Sequence, residues 1–416
     1  MTLPRAFLLE LFDTAVAAAT PKNCMNKWLP TRPNGRVVVV GAGKAAASMA
    51  LELEKHWAGP LEGIVIVPYG HGAPCRSIEV IEAAHPVPDD AGVAATRSVL
   101  ERVSELSAAD SVVCLLSGGG SALLSLPAKG VTLTEKQAIT SQLLRSGAAI
   151  HEINCVRKKL SAIKGGRLAA ACAPAAVITL LISDVPGNDA SSVASGPTIA
   201  DTTSQADALS ILTRFDIETS DAVQAAIEAS DVVEIDDSDV RILATSDDAM
   251  LASAAFAEDR NVTPYVLGDL NADATQLAEE HAELAIQIAS GTGPIAAPCV
   301  ILSGGETTVN VRGDGRGGRN GEYALALAIA LNGHASISAI ACDTDGIDGT
   351  GDNAGSLVSP DTLARASVND VNAHEMKDNN DSYNFFAAID DLVFTGPTLT
   401  NVNDFRAIHI SEKGIT

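Results

Sequence analysis

Residues 37–56, VVVVGAGKAAASMALELEKH, decide the fold class. Val37–Val40 form a continuous apolar run, the pattern of a strand buried on both faces. Gly41 and Gly43 punctuate the chain, and Ala45 to about His56 has helix-forming composition. Ile64–Val67, Val112–Leu116 and Val177–Ile182 repeat the apolar run, with helical stretches between them. That alternation predicts βαβ units: an α/β, Rossmann-like, three-layer α/β/α N-terminal domain with a parallel sheet.

A chain of 416 residues exceeds one ordinary core, so a second domain is expected. The acidic stretch DVVEIDDSDVR at 231–241 marks the boundary, giving domains 1–235 and 236–416. Val240–Ala244, Tyr265–Leu267, Val300–Leu302, Thr308–Val311 and Ile337–Ala341 predict strands of the second α/β domain. Gly304, Gly305 and Glu306 separate Cys299–Ser303 from Thr307–Arg312, which predicts a turn between neighbouring strands and a mixed sheet. The last twenty or so residues are expected to pack back on the cleft between domains. At the other end, Glu10 and Asp13 interrupt what resembles a signal peptide, so an amphipathic helix from near Pro4 is the better reading.

Net charge is −24, which argues against nucleic acid and anionic lipid as partners. No run of eighteen apolar residues occurs, so no membrane span is expected. Seven scattered cysteines without a C-x-x-C suit reduced thiols and a cytoplasmic location. Aromatics are only 3% of residues, so Ala, Val, Leu and Ile must build the core.

The glycine loops carry the chemistry. GAGKAA at 41–46 matches the dinucleotide pattern G-x-G-x-x-G/A, with close helix–strand packing as the bland alternative. The next strand ends in Pro68, Tyr69, Gly70 and His71 without the acid that a nicotinamide ribose needs. A Walker loop fails because Ala45 follows Lys44. A lysine in the first turn of a helix opposes the dipole, so Lys44, after Gly43, reads as facing an anion. Ser117-Gly118-Gly119-Gly120-Ser121 follows a buried strand, and its amides suit an anion nest. CVILSGGE at 299–306 echoes it in the second half. The segment 157–167, RKKLSAIKGGR, is basic with no acid; Lys164 and Arg167 are candidate anion clamps, against a solvated helix face.

Asp184 lies just past an apolar strand and Asp189 in the turn beyond it. Either carboxylate suits Mg²⁺ or a hydroxyl proton, with turn capping the plainer role for Asp189. Arg316, Arg319 and Asn320 stand in the glycine-rich entry to an apolar helix, where guanidiniums and helix amides are expected to converge as a carboxylate or phosphate clamp. Glu306 and Asp345 are further candidate metal ligands. Asp345 belongs to DTDGIDGTGDNAG at 343–355, which lacks the spacing of a calcium loop.

VVVGAGKAAASMA, PYGH, HPVPDDAG, LLSGGGSALL, RKKLSAIKGGRLA, ISDVPGNDASSVASGP, LSGGET, GGRNGEYALALA, DTDGIDG, NNDSY and TGPTLTNVNDFR together resemble the glycerate 2-kinase family, whose second half is the MOFRL domain. The resemblance runs from about residue 5 to 410. It implies two α/β domains, with glycerate and Mg-ATP as ligands in the cleft and 2-phosphoglycerate as product. It also places an essential lysine at Lys44 and an essential arginine at Arg319. A homodimer stays open. Asn188, Lys159 and Gly321 depart from the commoner aspartate, histidine and glutamine of that family. Two other readings stay beside it: an NAD(P)H-dependent hydroxypyruvate reductase, and a non-catalytic sensor of glycerate or nucleotide.

Overall fold

The computed structural model describes residues 3–412, apart from 232, 234 and 236–238. The chain forms two compact units, Pro21–Leu243 and Met1–Thr20 with Ala244–Thr416. The expected boundary falls at 235/236, and residue 236 lies outside the described residues.

The first unit is built on six strands: β1 (Val37–Ala42), β2 (Glu62–Pro68), β3 (Ile78–Ala83), β4 (Ser111–Leu116), β5 (Ala176–Ile182) and β6 (Asp239–Ala244). Their order is β3-β2-β1-β4-β5-β6, and every pair from β3 to β5 is parallel. The order reverses between β1 and β4, which makes the crevice beyond their carboxyl ends the natural place for a ligand. Val38, Val40, Ile64, Ile66, Val112 and Leu116 fill the core under the helices. Each buried side chain of this kind contributes about 1.5–3 kcal/mol. β6 corrects one expectation. Residues 240–244 were assigned to the second domain, yet they complete the first sheet at its edge.

The second unit carries β7 (Thr263–Asp269), β8 (Cys299–Gly304), β9 (Ile337–Asp343), β10 (Gly355–Val358), β11 (Leu392–Val393) and β12 (Asp404–Ile410). Their order is β11-β10-β9-β12-β8-β7. β7 and β8 are parallel and the other pairs antiparallel, so the sheet is mixed as expected. Residues 307–312 are not the strand beside β8; Thr308 makes only an isolated bridge to Asp273. The reason is occupancy, since β7 holds one side of β8 and β12 the other. Within the last twenty or so residues, Asp404–Ile410 supply the interior strand β12.

The N-terminal helix, Leu3–Ala19, starts where the sequence places it but packs in the second unit. Leu8, Leu11, Phe12 and Ala15 are buried, and the Phe12 ring lies 6.0 Å from that of Phe405 on β12. The Thr400 hydroxyl donates to the Ala19 carbonyl at 2.7 Å, fixing the helix end.

Candidate active site

In the first unit the GAGK loop caps β1, and its amides are already spent. Gly43 N–H donates to Ile66 O at 3.1 Å, Lys44 N–H to Gly118 O at 2.8 Å, and Ala45 N–H to Ser117 Oγ at 2.9 Å. A Cβ on Gly43 (φ +134°) would lie 2.2 Å from Ser117 Oγ, so the glycine permits close packing on the β4 loop. The dinucleotide-like pattern is therefore a packing motif here, and it presents Lys44 at the switch point.

The SGGGS loop behaves differently. Ser117 N–H donates to Ala42 O and Gly120 N–H to Ser117 O. Among the described residues, the Gly118 and Gly119 amides donate to no chain acceptor. Gly119 has φ +81°, and a Cβ there would meet His85 at 3.1 Å and Lys44 Cγ at 3.6 Å. Two open amides thus lie beside Lys44, an arrangement suited to an anion. His71 is a neighbour that sequence reasoning passed over. Burial, with a smaller push from the Lys44 charge, lowers its pKa, and its buried Nε2 has no partner among the described residues.

The basic segment is not a solvated face, because Lys158, Lys159 and Lys164 are buried. Lys159, the departure from the family's histidine, donates to Asp201 at 2.8 Å, and Lys158 lies 3.7 Å from the same carboxylate. Lys164 Nζ donates to the carbonyls of Ser121, Leu124 and Ala194 at 2.8, 3.0 and 3.4 Å. Arg167 donates to the carbonyls of Lys158 and Lys164 and to Ser230 Oγ. Lys164 Nζ and the two terminal nitrogens of Arg167 are committed to the chain, which makes both side chains struts: Lys164 holds the segment that includes Ser121, whose hydroxyl meets Ser195 at 2.9 Å.

Asp184 is half-buried beyond β5. Asp189 accepts from Ser191 N–H and from the Ser191 and Ser192 hydroxyls at 3.0, 2.9 and 2.7 Å, a turn-capping pattern. Asn188 sits between them at φ +57°, which asparagine tolerates well.

In the second unit Arg319 opens the helix Arg319–Leu331. Its Nε donates to Asp404 at 2.8 Å and its Nη2 to Asp343 at 2.7 Å, while Nη1 lies 3.5 Å from Glu306. Burial opposes the charge, but Asp404, Asp343 and Glu306 outweigh it and raise the guanidinium's pKa. Asp404 also accepts from Asn320 Nδ2 at 2.7 Å, Arg406 Nη1 at 3.1 Å and Thr307 N–H at 3.3 Å, so both its oxygens are engaged. Asp404 faces Asp343 because β12 runs antiparallel to β9.

The expected clamp is corrected on two counts. Arg316 does not converge with Arg319; it pairs with Asp352 at 3.1 Å and stacks 3.6 Å over Tyr383 at the surface. The helix amides of Asn320 and Gly321 donate to Asp348 at 3.0 and 2.8 Å, so an internal carboxylate occupies the place of a ligand anion. Burial raises the Asp348 pKa to about 7 despite those donors. Gly321, the third departure from the family, has Ser382 Oγ 2.6 Å from where a Cβ would be. Gly304 and Gly305 are also packed against the chain: Leu270 N–H donates to Gly304 O at 3.1 Å and Asp404 N–H to Gly305 O at 3.1 Å.

For metal ligands, no group of three His, Cys, Asp or Glu able to hold an ion occurs among the described residues. Asp345 Oδ1 accepts from Ile347 N–H at 2.8 Å, and the Glu306 amide donates to Asn271. Magnesium is usually held by one or two carboxylates with substrate phosphates, so Asp184 remains a suitable donor.

Residues 7–228 match the model of a domain of unknown function, DUF4147, and residues 299–404 match the MOFRL family. A D-glycerate 2-kinase from Thermotoga maritima is 37% identical over 399 residues, covering 95% of this chain and 96% of its own. The chain belongs to the glycerate 2-kinase family. A crystal structure of glycerate kinase from the same organism superposes with a TM-score of 0.90 at 36% identity, covering 98% of this chain and 99% of that one. Another relative, 48% identical over 98% of this chain and 94% of its own, is a "putative hydroxypyruvate reductase" of Agrobacterium vitis. Within the glycerate 2-kinase family, then, both names occur. Among the described residues no helix is long and apolar enough to cross a membrane.

Proposed function

We propose that the protein is a cytoplasmic kinase that transfers a phosphoryl group from ATP to the C2 hydroxyl of D-glycerate, giving 2-phosphoglycerate and ADP. The observation that carries this reading is Lys44 beside the open Gly118 and Gly119 amides at the switch point of the first sheet. Phosphoryl transfer asks mainly for positioning and for donors aimed at spreading negative charge, which this arrangement supplies. Lys44 neutralises the transferring phosphoryl or the acid's carboxylate, and the two amides cradle the same anion. Arg319, fixed in direction by Asp343 and Asp404, keeps 24% of its side chain exposed for a ligand. Asp184 is the carboxylate suited to receive a hydroxyl proton or to hold Mg²⁺. The ion, when bound, would supply charge neutralisation at the phosphates.

The name of the Agrobacterium relative favours a second reading, reduction of hydroxypyruvate. Against it stand the GAGK amides, which are spent on Ile66, Gly118 and Ser117 and leave none for a pyrophosphate. β2 also ends without an acid for the ribose. One pair of assays separates the readings. D-glycerate with ATP and Mg²⁺ is expected to release ADP, and hydroxypyruvate is expected to leave NADH and NADPH unoxidised. The reverse pattern would replace the kinase with the reductase.

A further inference from the structure

A cavity of about 380 Å³ opens within the first unit, between the helix Leu133–Arg145, the loop 85–88 and the Gly119–Ser125 segment. Among the described residues its wall includes Lys136, Arg157 and Lys164 and not one carboxylate, in a chain where one residue in eight is Asp or Glu. Lys136 is 5% exposed and among the described residues its Nζ has no hydrogen-bond partner. The half-buried Arg157 side chain makes no hydrogen bond or ion pair among the described residues. Ser125 is fully buried with its hydroxyl unpartnered. Unpaired buried cations and donors are costly, and their cost is offset when an anion fills the space they line.

The mouth of the same cavity is apolar. Val87 and Leu144 line it and are 62% and 57% exposed, unusual for such side chains. Gly119 belongs both to this wall and to the surroundings of Lys44. A three-carbon acid would fill roughly 100 Å³, about three or four water volumes, and would present no apolar surface to Val87 and Leu144. A nucleoside polyphosphate supplies both an apolar ring and several negative charges.

Building on the kinase reading, we propose that this cavity seats the phosphoryl-donor nucleotide. Its base rests between Val87 and Leu144, its phosphates meet Lys136 and Arg157, and its terminal phosphate leads past Gly119 toward Lys44. Lys164 supports the floor through its three bonds to chain carbonyls.

Calorimetry on the whole chain tests this with three probes: ADP, inorganic tripolyphosphate and D-glycerate. Lys136→Met should weaken ADP and tripolyphosphate at least tenfold and leave D-glycerate binding unchanged. Leu144→Ser, at an exposed position that folding tolerates, should weaken ADP several-fold and tripolyphosphate not at all. Unchanged ADP affinity in both folded variants would overturn the site, as would loss of D-glycerate binding in place of ADP. The two levels of the reading fail separately. ADP binding that depends on Lys136, in a protein that never phosphorylates glycerate, keeps the site and removes the kinase. Normal turnover with an unchanged KM for ATP in Lys136→Met keeps the kinase and removes the site.

Discussion

Two groups of cations, one in each unit, meet opposite surroundings. In the second, Arg319 is held by Asp343 and Asp404 with Glu306 3.5 Å away, and Arg406 by Asp404 and the Gly304 carbonyl. In the first, Lys136 and Arg157 face a cavity with no acid in its wall among the described residues. The response is visible in protonation: carboxylates raise Arg319, whereas burial and then the Arg157 charge push Lys136 down to about 8. A cation paired internally gives up its strongest contacts to its partners and gains a fixed direction. One left unpaired keeps its field for a ligand, and the ligand-free fold bears the cost.

The contrast can be broken most forcefully at the proposed chemistry. Lys44→Ala should lower kcat/KM on the order of 10³-fold or more, with an unchanged melting temperature; near-normal turnover would remove Lys44 from the site. Next in size is Arg319→Ala, expected to lose nearly all turnover. It also takes the Arg319 guanidinium from buried Asp343 and Asp404, of which Asp404 keeps Arg406, so stability should fall by about 3–5 kcal/mol in urea unfolding. A loss below about 1 kcal/mol would show that this ion network is not structural.

Lys136→Met should do the opposite to the ligand-free protein and raise its stability by roughly 1–3 kcal/mol at pH 7. Its titration gives the same test in another form. The folded pKa, about 8, lies below the ordinary 10.5, so between those values the unfolded chain binds more protons. Stability should therefore rise with pH across that window, by up to about 3 kcal/mol from this group. The rise should be missing in Lys136→Met, while nucleotide binding to the native protein weakens as pH passes 8. The smallest effect belongs to Arg316→Ala: its exposed pair with Asp352 should change stability by less than about 0.5 kcal/mol and kcat/KM less than about twofold.

Much of this was legible in the sequence where the signal is local. β1, β2, β4, β5, β8 and β9 are continuous apolar runs, because their two faces are both covered. β3 was missed because Glu79 and Glu82, both exposed at the sheet edge, interrupt its apolar run. β12 was missed because Arg406 and His409 interrupt it, and its interior place depends on pairing with β8 and β9 more than sixty residues earlier. Lys44 and the SGGG loop stood out through their glycines. The fate of the basic segment was not legible: Arg157, Lys158 and Lys159 are adjacent, yet only the two lysines meet Asp201. Lys136 had no signal at all, since being unpaired is a property of the fold around it. The Arg316–Arg319 clamp failed because Asp348, twenty-nine residues after Arg319, returns to occupy the helix amides.

The phosphorylation of glycerate is tested most directly by incubating the protein with ATP, Mg²⁺ and D-glycerate and adding enolase without a phosphoglycerate mutase. Phosphoenolpyruvate should form at once, since enolase accepts the 2-phosphate alone. Release of ADP with phosphoenolpyruvate only after a mutase is added would place the phosphoryl group on C3, and no ADP release at all would contradict the kinase.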